Sequence, residues 1–173
     1  MQQQRITIIS TGGTIEKTYD ADEGNLRNQE NVLDMMLEHL ELPGVVISRH
    51  ALMNKDSLEM TREDHQAIAQ AVGSALDDAD AIIVVHGTDR LVETGDVLHE
   101  SLGAELAIPV ILTGAMRPFE LRRSDALQNL TESLLAAQLL QAGVWCVMHN
   151  RALRFPGVKK DRTRMTFTHE ADA

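Results

Sequence analysis

The run Ala81-Ile82-Ile83-Val84-Val85 is followed at once by His86-Gly87-Thr88-Asp89. An apolar run this short and this rich in Val and Ile reads as a strand covered on both faces, as in a parallel sheet. The next four residues cannot continue it. Gly87 permits a sharp turn, and Thr88 and Asp89 both suit a helix N-cap. Leu91, Gly95, Leu98 and Leu102 then recur at helical spacing. Thr88 and Asp89 are therefore expected at the carboxyl end of a strand and the amino end of a helix. In open α/β sheets ligands bind there, and the unpaired N–H groups of a helix start favour anions.

The same alternation runs along the chain. Arg5–Ser10 reads as a first strand, broken by Thr11-Gly12-Gly13-Thr14. Glu16–Asn31 is polar and contains Gly24; it is expected to be a loop or loose hairpin, long enough to act as a lid. Asn31 suits the cap of a helix carrying Leu33, Met36, Leu37 and Leu40, ended by Pro43-Gly44. Val45–Ser48 is a second strand. Thr61 and Asp64 open a helix with Ile68, Val72 and Leu76 on one face. Pro109–Leu112 is a strand ending in the turn Thr113–Pro118, and Leu127, Leu130 and Leu134 mark the helix after it. Gly143 closes that helix, and Val144–Met148 is the last core strand. Beyond Asn150 the chain reads as a polar, basic tail. This order predicts a three-layer α/β/α domain around a mostly parallel five-strand sheet, Rossmann-like or flavodoxin-like, with a hairpin near the amino terminus. The turns 11–14, 86–89 and 113–117 should then open on one edge of the sheet.

At 173 residues the chain suits a single domain with a sizeable core. Its net charge of −10 argues against a nucleic-acid or anionic-membrane partner, and no apolar run is long enough to span a bilayer. No signal peptide precedes the first strand, and the one cysteine, Cys146, sits inside an apolar strand as a buried thiol. Both features point to a cytoplasmic protein. No His or Cys pair has metal-ligand spacing, and Gly12-Gly13 lacks the rest of a dinucleotide fingerprint. What remains is hydroxyls beside glycines. A hydroxyl nucleophile needs a base and donors for an oxyanion, and spacing alone does not identify the base. By themselves Thr14 and Thr88 read as turn and cap residues, His86 as a strand-end histidine, His99 as a helix-surface residue and Lys160 as part of a solvated basic run.

Three motifs change those odds together. Thr11-Gly12-Gly13-Thr14-Ile15, His86-Gly87-Thr88-Asp89 and Gly114-Ala115-Met116-Arg117-Pro118 resemble, in order and spacing, the bacterial L-asparaginases with a threonine nucleophile. The resemblance covers nearly the whole chain but only the amino-terminal domain of those enzymes. It implies one catalytic domain over residues 1–173 with no carboxy-terminal domain. It also implies hydrolysis of the side-chain amide of L-asparagine, without cofactor or metal. Thr14 matches the first catalytic threonine and Thr88 the second, with Asp89 beside it. A gap-free alignment through Val147-Met148 puts the catalytic lysine at Lys160, not Lys159. Tyr19, the only tyrosine, falls in the segment where the family carries a catalytic tyrosine. Asp56–Thr61 is similar to the segment that binds the α-carboxylate and α-amine, with Ser57 and Glu59 on its polar positions. Gly13, Gly87 and Ala115 complete the implied substrate contacts. Assembly as a homodimer or tetramer is also implied. Three alternatives stay open: an asparagine- or aspartate-binding sensor, glutamine as a second substrate, and Thr14 orienting a water instead of attacking.

Overall fold

The computed structural model describes residues 3–28 and 32–172. The elements are β1 (Gln4–Gly12), a hairpin of β2 (Lys17–Asp20) and β3 (Asn25–Asn28), α1 (Val32–Glu38), β4 (Val45–Lys55), α2 (Arg62–Ala75), β5 (Ala81–Val85), α3 (Leu91–Leu102), β6 (Pro109–Thr113), α4 (Ala126–Leu139), β7 (Gly143–Met148), β8 (Arg151–Arg154), β9 (Val158–Asp161) and β10 (Thr166–His169). One sheet has the order β4-β1-β5-β6-β7-β8. Its first five strands are parallel and β8 runs antiparallel to β7.

Burial explains the central strands. Every residue of β5 is buried. Ile82 and Val84 pack with Ile68, Val72, Leu91 and Leu98 of α2 and α3. Ala81, Ile83 and Val85 pack on the other face with Leu33 and Met36 of α1 and Leu130 and Leu134 of α4. A sheet with helices on both faces leaves no polar side to alternate with, so the run is apolar throughout. Cys146 is buried in β7, where desolvation pushes its thiol well above the ordinary range. The start of α2 is a reciprocal cap: Thr61 Oγ1 accepts from Asp64 N, and Asp64 Oδ2 accepts from Thr61 N.

Several expectations need correction. The sheet has six strands, not five, because the chain turns back at His149-Asn150, both at positive φ, into β8. The basic tail is not a solvated run: Leu153, Phe155, Val158 and Phe167 alternate into the core, and β9 pairs with β10. β4 reaches Lys55 rather than stopping at Ser48; as an edge strand it tolerates the exposed polar residues His50 and Asn54. α3 begins at Leu91 with Arg90 at the N-cap and no side-chain cap. Thr88 and Asp89 are engaged elsewhere. The first helix ends at Glu38, short of Leu40. The expected cap Asn31 lies outside the described residues.

The topology places the site. From β1 the chain crosses to β4 on one side, while from β5 it crosses to β6 on the other. The carboxyl ends of β1 and β5 are therefore neighbours at a topological switch point, where α/β sheets form their binding crevice. Thr14 follows β1 and Thr88 follows β5.

Candidate active site

The three turns do meet, and contact between glycines brings them together. Gly13 has φ +92°, a region that L side chains rarely adopt, and a Cβ there would lie 2.5 Å from Gly87 N. A Cβ on Gly87 would lie 2.5 Å from Ser57 Oγ, and one on Gly114 would lie 2.2 Å from His86 O. The turns after β1, β5 and β6 and the short turn at Ser57–Glu59 thus pack backbone against backbone. Thr14 and Thr88 each directly follow one of two glycines in contact. Thr14 is half-buried and opens a single 3₁₀ turn, Thr14–Glu16. Thr88 and Ser57 are buried, and Ala115 is buried at the floor of the third turn.

The decisive geometry belongs to Lys160. Its Nζ donates to Thr88 Oγ1 at 2.9 Å and to Asp89 Oδ1 at 2.8 Å. Its side chain is only 11% exposed. Lys159 points the other way, 65% exposed and paired with Glu170 at 2.7 Å. Strand alternation in β9 separates the two lysines, so the gap-free alignment selects the residue that reaches Thr88. Because Lys160 occupies a lone pair of Oγ1, the hydroxyl hydrogen of Thr88 is free to donate elsewhere.

Other expected residues lie further out. Tyr19 is 57% exposed on β2, and its backbone N donates to Glu120 Oε2 at 2.6 Å. Among the described residues its hydroxyl makes no hydrogen bond to Thr14. Glu59 is exposed on its turn. The hairpin carrying Tyr19 is anchored at its base: the Asn28 carboxamide, with its oxygen toward Gly13 N, bridges Gly13 N and O at 3.2 and 3.1 Å. Lys17 holds Asp56 at 2.7 Å, and its hydrogen bond is the main reason that carboxyl sits below the ordinary range.

Two buried polar chains support the turns, and neither is visible in the sequence. Gly87 O can only accept, so His86 Nδ1 carries the hydrogen and donates to it at 2.7 Å. His86 Nε2 then accepts from Thr94 Oγ1 at 2.8 Å, and Thr94 Oγ1 accepts from His65 Nδ1 at 2.7 Å. His65 Nε2 is left without a hydrogen-bond partner, 3.4 Å from Glu93 Oε2. That approach is no ion pair at neutral pH, because burial lowers the His65 imidazole. Burial lowers His86 further, to about 4. Behind the third turn, Asp125 accepts from Met116 N and Arg117 N, and His149 Nε2 lies 2.7 Å from it. Burial pushes the Asp125 carboxyl up, but these bonds outweigh it and leave the group below its ordinary range. Asn129 ties that network to Gly114 O. Residues deep in helices give no periodic or motif signal for such roles; only Asp125, directly before α4, had the composition of a helix-start residue.

Among the described residues no group of three or more His, Cys, Asp and Glu is placed to hold a metal, and no helix is long and apolar enough to cross a membrane. A groove of about 440 Å³ between α2 and α3, lined by Gln66, Gln70 and Leu102, holds none of the site groups. A smaller one of about 200 Å³, lined by Ser10, Glu16 and Asn54, lies beside the Thr14 turn.

The amino-terminal asparaginase family model matches residues 5–171. The chain belongs to the asparaginase family. L-asparaginase 1 of Escherichia coli K12 is 36% identical over 144 residues, covering 79% of this chain and 41% of its own length. A glutamyl-tRNA(Gln) amidotransferase subunit from Methanobrevibacter smithii is 32% identical over 149 residues, covering 85% and 34%. The thermostable L-asparaginase from Thermococcus kodakarensis superposes with a TM-score of 0.82 at 28% identity, over 95% of this chain and 51% of that one. The chain thus spans about half or less of the length of these asparaginase-family relatives.

Proposed function

We propose that this domain hydrolyses the side-chain amide of L-asparagine to L-aspartate and ammonia. One observation carries the reading: Lys160 Nζ bridges Thr88 Oγ1 and Asp89 Oδ1, on the sheet edge where Thr14 also emerges. Binding an amino acid needs no lysine held against a threonine hydroxyl, so this arrangement favours an enzyme over a sensor. Thr14 Oγ attacks the amide carbon and its proton passes to the base. The C–N bond breaks, ammonia leaves with a proton, and water then cleaves the ester to release aspartate. The free hydrogen of Thr88 serves the developing oxyanion or the leaving nitrogen. Tyr19 is the proposed base and acts after the β2–β3 hairpin closes over Thr14. Asp89 takes the α-ammonium, and Ser57 with the N–H groups of the turn takes the α-carboxylate. No cofactor or metal enters this scheme.

Relatives that are amidotransferase subunits support a second reading, in which the same chemistry supplies ammonia to a partner enzyme. Glutamine is a further substrate candidate, since one methylene is worth only about 1–3 kcal/mol in a pocket. Ammonia release by the purified protein, measured on both amides, tests all of these. Release from asparagine that Thr14→Ala abolishes is expected. Release from neither amide, with aspartate still bound, overturns the enzyme reading in favour of a sensor. The proposal includes a cytoplasmic homodimer or tetramer; a monomer by light scattering at working concentration contradicts the assembly.

A further inference from the structure

Asp89 is shared by two cations. Besides Lys160, Arg162 places Nη1 3.4 Å from the same Oδ1. Arg162 sits in the β9–β10 turn and is 71% exposed, and this is its one ion pair among the described residues. Neither cation uses Asp89 Oδ2, which carries no hydrogen bond among the described residues and stays open to a ligand ammonium. Asp89 and its two cations together carry one positive charge in excess. Guanidinium has five donors and a fork that matches a carboxylate, and Arg162 commits one of them. The turn itself does not depend on this side chain: Asp161 Oδ1 holds it through Thr163 N and Arg164 N.

We infer that Arg162 determines the charge specificity of the site: at the mouth it adds a cation to the Ser57 hydroxyl and turn N–H groups that hold the substrate carboxylate, so that the site demands a carboxylate more than an ammonium. This rests on the amide-hydrolase reading and adds a substrate class to it: ω-amides of dicarboxylates, with or without an α-amine. Asp89 Oδ2 still accepts an α-ammonium when one is present, but its field is offset by two cations. The carboxylate meets an uncompensated one.

Two analogues of asparagine separate the contributions. Succinamate keeps the carboxylate and lacks the ammonium; β-alaninamide keeps the ammonium and lacks the carboxylate. Ammonia release is measured on all three amides, with wild type and Arg162→Gln. In the wild type, KM for succinamate is expected within about fivefold of that for asparagine, while β-alaninamide is at least about fiftyfold worse, the loss of one charge-assisted bond and the gain of a repulsion. Arg162→Gln is expected to raise KM about fivefold for asparagine and succinamate, a modest factor because the group is solvent-exposed. It should leave kcat within about twofold, as for a contact equal in ground and transition states. KM for β-alaninamide should not rise. A general structural defect would instead move all three substrates together.

Binding of succinate, measured by calorimetry on wild type and Arg162→Gln, needs no turnover. If no amide is hydrolysed but succinate binding weakens about fivefold in Arg162→Gln, the hydrolase reading fails and the assignment of Arg162 stands. If asparagine is hydrolysed and Arg162→Gln changes neither succinate binding nor any KM, the hydrolase reading stands and the assignment fails. Equal use of β-alaninamide and succinamate by the wild type overturns the assignment. So does the absence of succinate binding to both proteins.

Discussion

Lys160→Met keeps an unbranched side chain of similar reach and removes the charge. Two consequences follow from the geometry. In the proposed reaction the cation fixes Thr88 Oγ1 at 2.9 Å. Removing a group of this kind, aimed at developing charge, costs about 10²–10³ in turnover. The second consequence is stability. Exposed ion pairs contribute about 0–1 kcal/mol, while breaking a buried one costs about 3–5 kcal/mol. Lys160 is 11% exposed and Asp89 30%, so the pair lies between these limits. The remaining partner, Arg162, is longer and more exposed, and offsets little. A loss of about 2 kcal/mol is expected, which for a chain of this size lowers Tm by about 4–8 °C. Lys159→Met is the matched control. Its pair with Glu170 is exposed on both sides, so at most about 1 kcal/mol and no turnover are lost. Ammonia release and thermal melts of the two variants decide the matter. Wild-type turnover in Lys160→Met, or equal defects in both variants, would refute the reasoning.

Thr14→Ala is expected to abolish turnover with a melt unchanged within about 0.5 kcal/mol, since the residue sits in a turn outside the core, and Thr14→Ser should keep part of the activity; a fully active Thr14→Ala removes it as nucleophile. Asp89→Asn should raise KM for asparagine more than it lowers kcat, because Oδ2 is the open acceptor for the ammonium; an unchanged KM contradicts that role. Aspartate should slow amide hydrogen exchange across β2 and β3, and equal exchange with and without ligand counts against a lid. His86 is held at about 4 in the folded protein, against about 6.5 in the unfolded chain. The unfolded chain therefore binds the extra proton between those values, so stability is full above about pH 6.5 and falls by up to about 1.4 kcal/mol per unit toward pH 4. His65, also lowered by burial, adds in the same sense. Urea midpoints from pH 7 to 4 test this, with a flatter profile expected for His86→Gln; a midpoint that does not move over that range refutes it.

What was legible in the sequence was whatever is written as periodicity or as a motif. β5 announced itself because both of its faces are buried, and α2 because its capping box is local to Thr61–Asp64. β8, β9 and β10 did not. Each has four residues, and the alternation of Val158 and Phe167 with lysines and threonines looks like surface when read alone. Only their pairing in three dimensions makes them strands. Thr88 and Asp89 have good N-cap chemistry, yet Lys160, distant in sequence, takes Thr88 Oγ1 and Asp89 Oδ1. A local propensity of about 1 kcal/mol yields when a cation in a half-buried site claims the acceptor. The His65–Thr94–His86 chain was invisible for a related reason: its members come from two helices and a strand end, with no shared spacing.

The site divides into a fixed half and a delivered half, and the division has a physical origin. Thr14 and Thr88 stand on backbone locked by glycine against glycine, with Ser57 behind Gly87. Nothing larger than hydrogen fits between these turns, so they cannot separate or slide without losing several contacts at once. Tyr19, Lys160 and Arg162 instead come from the two small hairpins outside the main sheet. The β9–β10 hairpin is fastened to the core by Val158 and Phe167 and by the hydrogen bond between His149 Nδ1 and Thr166 Oγ1, which holds Lys160 in place. The β2–β3 hairpin is fastened at its base through Asn28 and Lys17, while Tyr19 and Leu26 stand exposed across from each other near its tip. A hairpin held at its base, with one bond from Tyr19 N to Glu120 and exposed apolar side chains toward its tip, has a low-energy route to bending toward the cleft. In the proposed reaction the two threonine hydroxyls are thus preorganised, and access to them is the part assigned to the β2–β3 hairpin.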